Sequence, residues 1–325
     1  MLQNALTEVE TSTVTIMAEC SRTHAAEDDI RTAAPLCDAP TYRADILATM
    51  PKFMDCLTFS NQALLTIHKQ MQREVRYVAD MRRWVLTHGA LILHFSYQLD
   101  PTTPPLTATN LYREVEATGM ASPNTVTNFL KEIENLGYIE PLPDRNRRNR
   151  AYRMTEFSER MFYIYLDINL GGLDLVDGAR RADATRADPK ILTHMHPIFA
   201  RLMMIDHAAP PPPSLAPLIN TTIGISILNE MTSGVGSLSN AHDDRIYISM
   251  DSGSAMAQRY GTSRANVARL LLKVQSAGNF GKDEKGQWIS RTLLHDYHCW
   301  QAIKFAHTST AFAQAQKERS QARHP

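Results

Sequence analysis

Cysteine is scarce in this chain: Cys20, Cys37, Cys56 and Cys299 are the four in 325 residues, and no two stand at a short paired spacing. That argues against a disulfide framework and against a zinc knuckle, and it fits a reducing cytoplasm. An excess of one charge is missing too, since 34 Lys and Arg meet 34 Asp and Glu, so the total says nothing about partners. Long apolar runs are absent. The longest uncharged one, Trp84 to Leu99, includes His88, His94 and Gln98 and falls short of the ~20 residues that a membrane span needs; it reads as a buried helix. No basic segment precedes an apolar stretch at the N-terminus, so no secretory signal is expected, and the expected location is cytoplasmic with no membrane partner. Glycine-rich catalytic signatures are lacking as well. There is no Gly-x-x-x-x-Gly-Lys, no Gly-x-Gly-x-x-Gly after a strand and no Gly-x-Ser-x-Gly, and Gly234-Val235-Gly236-Ser237 lacks the remaining glycine and the context. Neither an enzyme nor a bound cofactor is expected.

The charge that is present is unevenly placed. Residues 1–40 hold Glu8, Glu10, Glu19, Glu27, Asp28, Asp29 and Asp38 against Arg22 and Arg31, without sustained apolar periodicity, which is the composition of a disordered acidic tail. From Thr41 to about Val78, residues such as Ile46, Phe53, Leu57, Leu64 and Ile67 recur at helical spacing, and Arg82 to Leu99 predicts a further helix stopped by Asp100-Pro101. Leu106 to Thr118 predicts a short helix, followed by a turn over Gly119 to Ala121. Ser122-Pro123 then opens another, with serine as N-cap and proline at the first helical position, where its missing N–H costs nothing. Val126, Phe129, Leu130, Ile133 and Leu136 form its apolar stripe and Gly137 ends it. Residues 138–142 and 151–154 can pair as a hairpin around an arginine-rich loop. Helix, turn, helix and hairpin, in that order, are a winged helix-turn-helix.

The pattern recurs 141 residues later: Ser263 matches Ser122, Val267 matches Val126, Leu271 matches Leu130, Val274 matches Ile133 and Gly278 matches Gly137. A short helix, Ser254 to Tyr260, and a Gly-Thr turn precede the second copy, and a hairpin with its tip at Lys282 to Gly286 can follow it. The expected fold is therefore mainly α with small β-hairpin wings, two winged helix-turn-helix modules joined by helices. The expected organisation is the tail over 1–40, a helical arm plus the first module over 41–170, and a linker over 171–190 with alternating Ala, Arg and Asp. A second, degenerate module with a C-terminal helix follows over 191–325. Pro210 to Pro213 and Pro217 read as a stiff spacer, and the helices over Thr41–Val78 and Leu293–Phe312 as the joining interface.

The chemistry of the first copy suits double-stranded DNA. With Val126 on the buried side, about 100° per residue turns Asn124, Thr127, Asn128 and Lys131 outward: amides that can pair with adenine and a cation that reaches guanine or phosphate. An ordinary solvated helix face also favours such residues. The loop weighs further, since Arg145, Arg147, Arg148 and Arg150 crowd it with only Asp144 opposing, and so many neighbouring guanidiniums call for an anion such as phosphate or a narrow minor groove. In the second copy Arg264, Asn266, Arg269 and Lys273 are the candidate contacts, while Leu272 replaces Lys131 and Lys282-Asp283-Glu284-Lys285 is neutral. That helix reads either a different half-site or a protein partner.

Residues 128–139, from Asn128-Phe129-Leu130-Lys131 to Gly137-Tyr138-Ile139, then Asp144-Arg145-Asn146-Arg147-Arg148 and Arg153-Met154-Thr155-Glu156, resemble the MarR family of bacterial transcriptional regulators over roughly 82–168. The resemblance implies major-groove contacts from Asn124, Thr125, Thr127 and Asn128, and wing contacts from Arg145, Arg147 and Arg148. It also implies a two-fold dimer and a small-molecule effector between modules. Such regulators are usually half this length with one module per chain, so two copies suggest a single-chain pseudo-dimer. Two other readings stay open: a plasmid-type replication initiator, which also carries two winged helices, and a winged-helix protein-interaction module without DNA binding. His194-Met195-His196 and His295-Asp296-Tyr297-His298 could offer metal ligands, but no Cys or carboxylate cluster accompanies them and no metal is expected. Met203-Met204 reads as adaptable core filling.

Overall fold

The computed structural model describes residues 39–71, 81–143, 150–207, 210–219, 221–233, 235 and 244–322. The acidic segment up to Asp38 and the hairpin tip at 144–149 lie outside them. The first part of the chain forms α1 (Ala44–Leu47), α2 (Phe53–Gln70), α3 (Met81–Leu99), α4 (Ala108–Val115) with a closing 3-10 turn, α5 (Pro123–Asn135), β1 (Ile139–Pro141), β2 (Tyr152–Met154) and α6 (Glu156–Asp177). The second forms α7 (Arg181–Ala187), α8 (Lys190–His207), α9 (Ala216–Ile219), α10 (Gly224–Ser233), β3 (Arg245–Ile248), α11 (Gly253–Arg259), α12 (Arg264–Ser276), β4 (Phe280–Asp283), β5 (Gly286–Ser290) and α13 (Arg291–Gln321). The protein is mainly helical with two small antiparallel sheets, one of order β1-β2 and one of order β3-β5-β4. Among the described residues, no helix is long and apolar enough to cross a membrane.

The same local devices build both parts. Helices α5 and α12 each have 13 residues and a serine N-cap, Ser122 accepting from the Thr125 N–H and Ser263 from the Asn266 N–H; such a cap stabilises by about 1 kcal/mol. Each helix ends at a left-handed glycine, Gly137 at φ 76° and Gly278 at φ 73°, where a β-carbon would be strained. The next N–H then closes back onto the helix, Tyr138 onto the Ile133 carbonyl and Asn279 onto the Val274 carbonyl. A hairpin follows, pairing Ile139 with Met154 and Phe280 with Ile289. Its outer partner precedes the helix pair in both cases: Leu106 bridges Tyr152, and β3 pairs with β5.

The two parts are joined crosswise. Each contains an 18-residue helix near its start, α2 or α8. Helix α2 packs on α6 of its own part and on α10 of the other; α8 packs on α13 of its own part and on α3 of the other. Gly172 lets α2 and α6 approach, since a β-carbon there would stand 2.6 Å from Ser60 Oγ. One apolar core accordingly mixes Leu47, Phe53, Leu57 and Leu173 with Ile227, Met231, Leu293 and Phe305. At its centre the buried Tyr297 hydroxyl accepts from Asn61 Nδ2 at 2.9 Å and donates to Asn229 Oδ1 at 2.8 Å, tying α2, α10 and α13 together.

The stretch over 171–190, expected as a linker, is helical. α6 continues to Asp177, Gly178 caps it at φ 72°, and α7 follows at once. Asp174, Asp177 and Arg181 pair with one another largely out of water, while Arg180, Asp183 and Arg186 pair at the surface. Arg181 is 0% exposed and pairs with Asp174 at 3.1 Å and Asp177 at 2.7 Å. The expected proline spacer is likewise short, since Leu215, Leu218 and Ile219 directly after it are buried.

Of the paired histidines, His196 is buried in the core, His194 and His298 are half-buried and His295 is exposed. His196 Nε2 lies 3.1 Å from His88 Nδ1, with the rings parallel and 5.1 Å apart; His194 instead faces Glu318 at 3.4 Å. Burial, with His94 and Arg201 adding to it, pushes His196 down to about 3, and burial with His295 pushes His298 down to about 4. Both lie below the unfolded value of about 6.5. Their contribution to stability is therefore complete above that pH and is lost as pH falls from about 6.5 towards 4. Each accounts for about 1.4 kcal/mol per pH unit within that window. In urea titrations over this range, His196→Gln is expected to lower the slope by one proton equivalent; an unaltered slope would count against a neutral buried His196.

Candidate nucleic-acid interface

On α5 the apolar stripe is buried as its spacing requires: Val126, Phe129, Leu130 and Ile133 are all inside. Asn124, Asn128 and Lys131 are exposed on the opposite side. They stand at i, i+4 and i+7, which forms one ridge, and their side chains have no hydrogen-bond or ionic partner among the described residues. The two threonines differ. Thr127 is half-buried and donates to the Pro123 carbonyl at 2.9 Å, and Thr125 lies 2.9 Å from Ser122 Oγ, so both hydroxyls are occupied within the first turns of the helix. The outward ridge is consequently Asn124, Asn128 and Lys131.

The acids of α5 are neutralised from its flanks. Glu132 pairs with Arg83 at 3.1 Å and Glu134 with Arg150 at 2.5 Å. The Arg150 guanidinium also sits 5.5 Å from the centre of the Tyr152 ring. Arg150 was expected beside Arg145, Arg147 and Arg148 as a free loop cation; it is instead held against the helix because Glu134 lies within reach of the strand that follows the loop. Arg145, Arg147 and Arg148 lie outside the described residues. At the base of the hairpin, Arg153 pairs with Glu140 across β1 and β2 at 2.7 Å.

The second copy presents a different surface. Arg264, Arg269 and Lys273 are exposed on α12. Asn266 is half-buried, donates to Thr262 Oγ1 at 3.0 Å and accepts from Arg269 Nη2 at 2.7 Å, so its amide is committed within the chain. Leu272, in the position equivalent to Lys131, is 59% exposed. The hairpin beside it is self-contained. Arg245 pairs with Asp283 at 3.1 Å and lies 4.7 Å over the Trp288 ring, and the Tyr247 hydroxyl donates to the same carboxylate at 3.1 Å. Asp283, read from the sequence as one acid in a neutral tip, is therefore already engaged by Arg245 and Tyr247, a pairing invisible from spacing because Arg245 and Asp283 stand 38 residues apart.

In comparisons with family models, with curated proteins and with solved structures, nothing matches this chain. Its function is therefore argued from the surface just described.

Proposed function

We propose that the protein binds double-stranded DNA and regulates transcription, through two winged helix-turn-helix modules in tandem that together make a single-chain pseudo-dimer. The observation that carries this reading is the recurrence of one assembly. A 13-residue serine-capped helix follows a short helix and leads through a left-handed glycine into an antiparallel hairpin, twice, with exposed polar or cationic residues on the outer face each time. A ridge of amides and one lysine on α5 suits base edges in the major groove, where amides pair with adenine. Arg145, Arg147 and Arg148 belong to the adjoining loop and would supply phosphate contacts, which position the protein without reading sequence. On α12, Arg264, Arg269 and Lys273 supply cationic contacts, with Asn266 holding Arg269 in place.

The reading is tested by selecting bound fragments from a random duplex pool. Enriched fragments are expected to share one half-site that depends on α5, so that Asn128→Ala relaxes preference at a single base position, at a cost of about 1–3 kcal/mol in discrimination. A pool that emerges unenriched would refute the sequence-reading role. A protein-docking role for the second copy is favoured by the exposed Leu272, because an isolated large apolar side chain among cations suits a partner better than a base edge. In that case Leu272→Lys leaves DNA affinity unchanged or improves it.

A further inference from the structure

Helix α12 and the short α11 before it carry charge of one sign only. Residues 252–278 hold Arg259, Arg264, Arg269 and Lys273 and no Asp or Glu. Arg259 is taken up by Glu230 and Asp251, whereas Arg264, Arg269 and Lys273 have no carboxylate partner among the described residues. Between these three runs an apolar strip. Ala265, Ala268 and Leu272 stand at i, i+3 and i+7 and share one face; all are exposed, Leu272 to 59%. At about 100° per residue, Leu272 has Arg264 on one side and Arg269 and Lys273 on the other. The strip continues into a groove against α11, lined by Gly253, Ala268 and Leu271. Helix α5 has no such strip, since Lys131 stands in the place of Leu272 and Glu132 and Glu134 are paired beside it.

An apolar strip with a cationic rim fits a segment that carries apolar side chains flanked by carboxylates, and a stretch of this chain has that composition. Residues 8–19 hold Glu8, Glu10 and Glu19, with Val9, Val14, Ile16 and Met17 between them and no Lys, Arg or His. They belong to the N-terminal segment outside the described residues, which joins the fold at a fixed point. Arg181 donates to the Pro40 carbonyl at 2.8 Å, and the Tyr42 N–H donates to Ser309 Oγ at 3.1 Å. The stretch from Glu19 to Pro40 can span up to about 70 Å. A compact chain of this length has a radius of gyration of only about 20 Å, so α12 is within its reach.

We propose that residues 8–19 dock within their own chain on the outer face of α12, apolar side chains against Ala268 and Leu272, carboxylates beside Arg264, Arg269 and Lys273. Exposed ion pairs alone are weak; covering Leu272 adds apolar burial, and the tether raises the local concentration of the segment. The docking goes beyond DNA binding and does not depend on it.

The test uses the full chain without DNA, so its outcome is separate from that of the duplex selection. Zero-length carbodiimide coupling joins a lysine amine to a carboxylate that touches it. At about 20 mM salt, where charges are little screened, peptide mass spectrometry is expected to find Lys273 joined to Glu8, Glu10 or Glu19. The yield is expected to fall at least about fivefold at about 1 M salt, where the screening length is about 3 Å. Leu272→Asp is expected to lower it by a similar factor, at a position too exposed for the fold to depend on it. In an equal mixture of ordinary and isotope-labelled chains, each product is expected to lie within one isotope. Coupling of these glutamates to Lys131, Lys282 or Lys285 in place of Lys273, products that mix the isotopes, a yield unchanged in Leu272→Asp, or no product at Lys273 overturns the proposal.

Discussion

Replacing Arg181 by methionine is expected to cost about 3–5 kcal/mol of unfolding free energy, a large share of the roughly 5–15 kcal/mol that holds a domain folded. The guanidinium is fully buried and makes hydrogen bonds to Asp174 Oδ1 at 3.1 Å, to both oxygens of Asp177 at 3.0 and 2.7 Å, and to the Pro40 carbonyl at 2.8 Å. The Tyr42 hydroxyl donates to Asp177 at 2.6 Å, so the cluster also anchors the segment that leads into α1. Methionine replaces the volume and not the charge, which leaves two carboxylates out of water with no cation. Burial already pushes Asp174 up to about 7 despite the pull of Arg181. Without that pull its folded pKa rises further, so the loss is expected to grow as pH climbs above 7. The joint variant Arg181→Met, Asp174→Asn, Asp177→Asn should recover much of the loss, because removing a whole buried ionic group is far less costly than breaking it. Guanidinium unfolding at pH 7 decides the matter: a cost under about 1 kcal/mol for the single substitution would mean that the cluster is not solvent-excluded in solution.

The second large effect concerns DNA. If Arg145, Arg147 and Arg148 each neutralise one phosphate, the triple alanine variant is expected to reduce the slope of log affinity against log salt by about 2.7, at about 0.9 per contact. Extrapolated from 1 M reference salt, this is a loss of about 10²–10³-fold at 0.1 M, equal for all duplex sequences because phosphate contacts carry no sequence information. Arg150 serves as the internal control. It is already paired with Glu134, and Arg150→Ala is expected to lower affinity by less than about threefold. Fluorescence anisotropy over about 50–300 mM salt separates the two. An unchanged slope in the triple variant would remove the loop from the interface, and a steep loss in Arg150→Ala would show that the Glu134 pair opens on binding.

The parts of the fold legible in the sequence are those written within a turn or two of helix. The bounds of α5 and α12 follow from Ser122 and Ser263 at their starts and Gly137 and Gly278 beyond their ends, since a cap and a stripe at i, i+3 and i+4 act between near neighbours. The same reach explains what spacing alone misses. The Thr127 hydroxyl turns back to Pro123, a local bond open to any threonine in a helix. The stretch over 171–190 looked like a linker because Asp174, Asp177 and Arg181 alternate with small residues; nothing nearby reveals that Pro40 and Tyr42 come to meet them.

By itself the sequence determined the two serine-capped helices, their apolar faces, the hairpins after them and their recurrence at a spacing of 141 residues. Tertiary structure alone decided that α2 and α8 pack across to the opposite part and that Arg150 pairs with Glu134. The physical reason is separation. Capping and periodicity bind residues three or four apart, whereas burial and charge pairing join groups such as Asn61 and Tyr297, 236 residues distant, whose meeting no local pattern encodes.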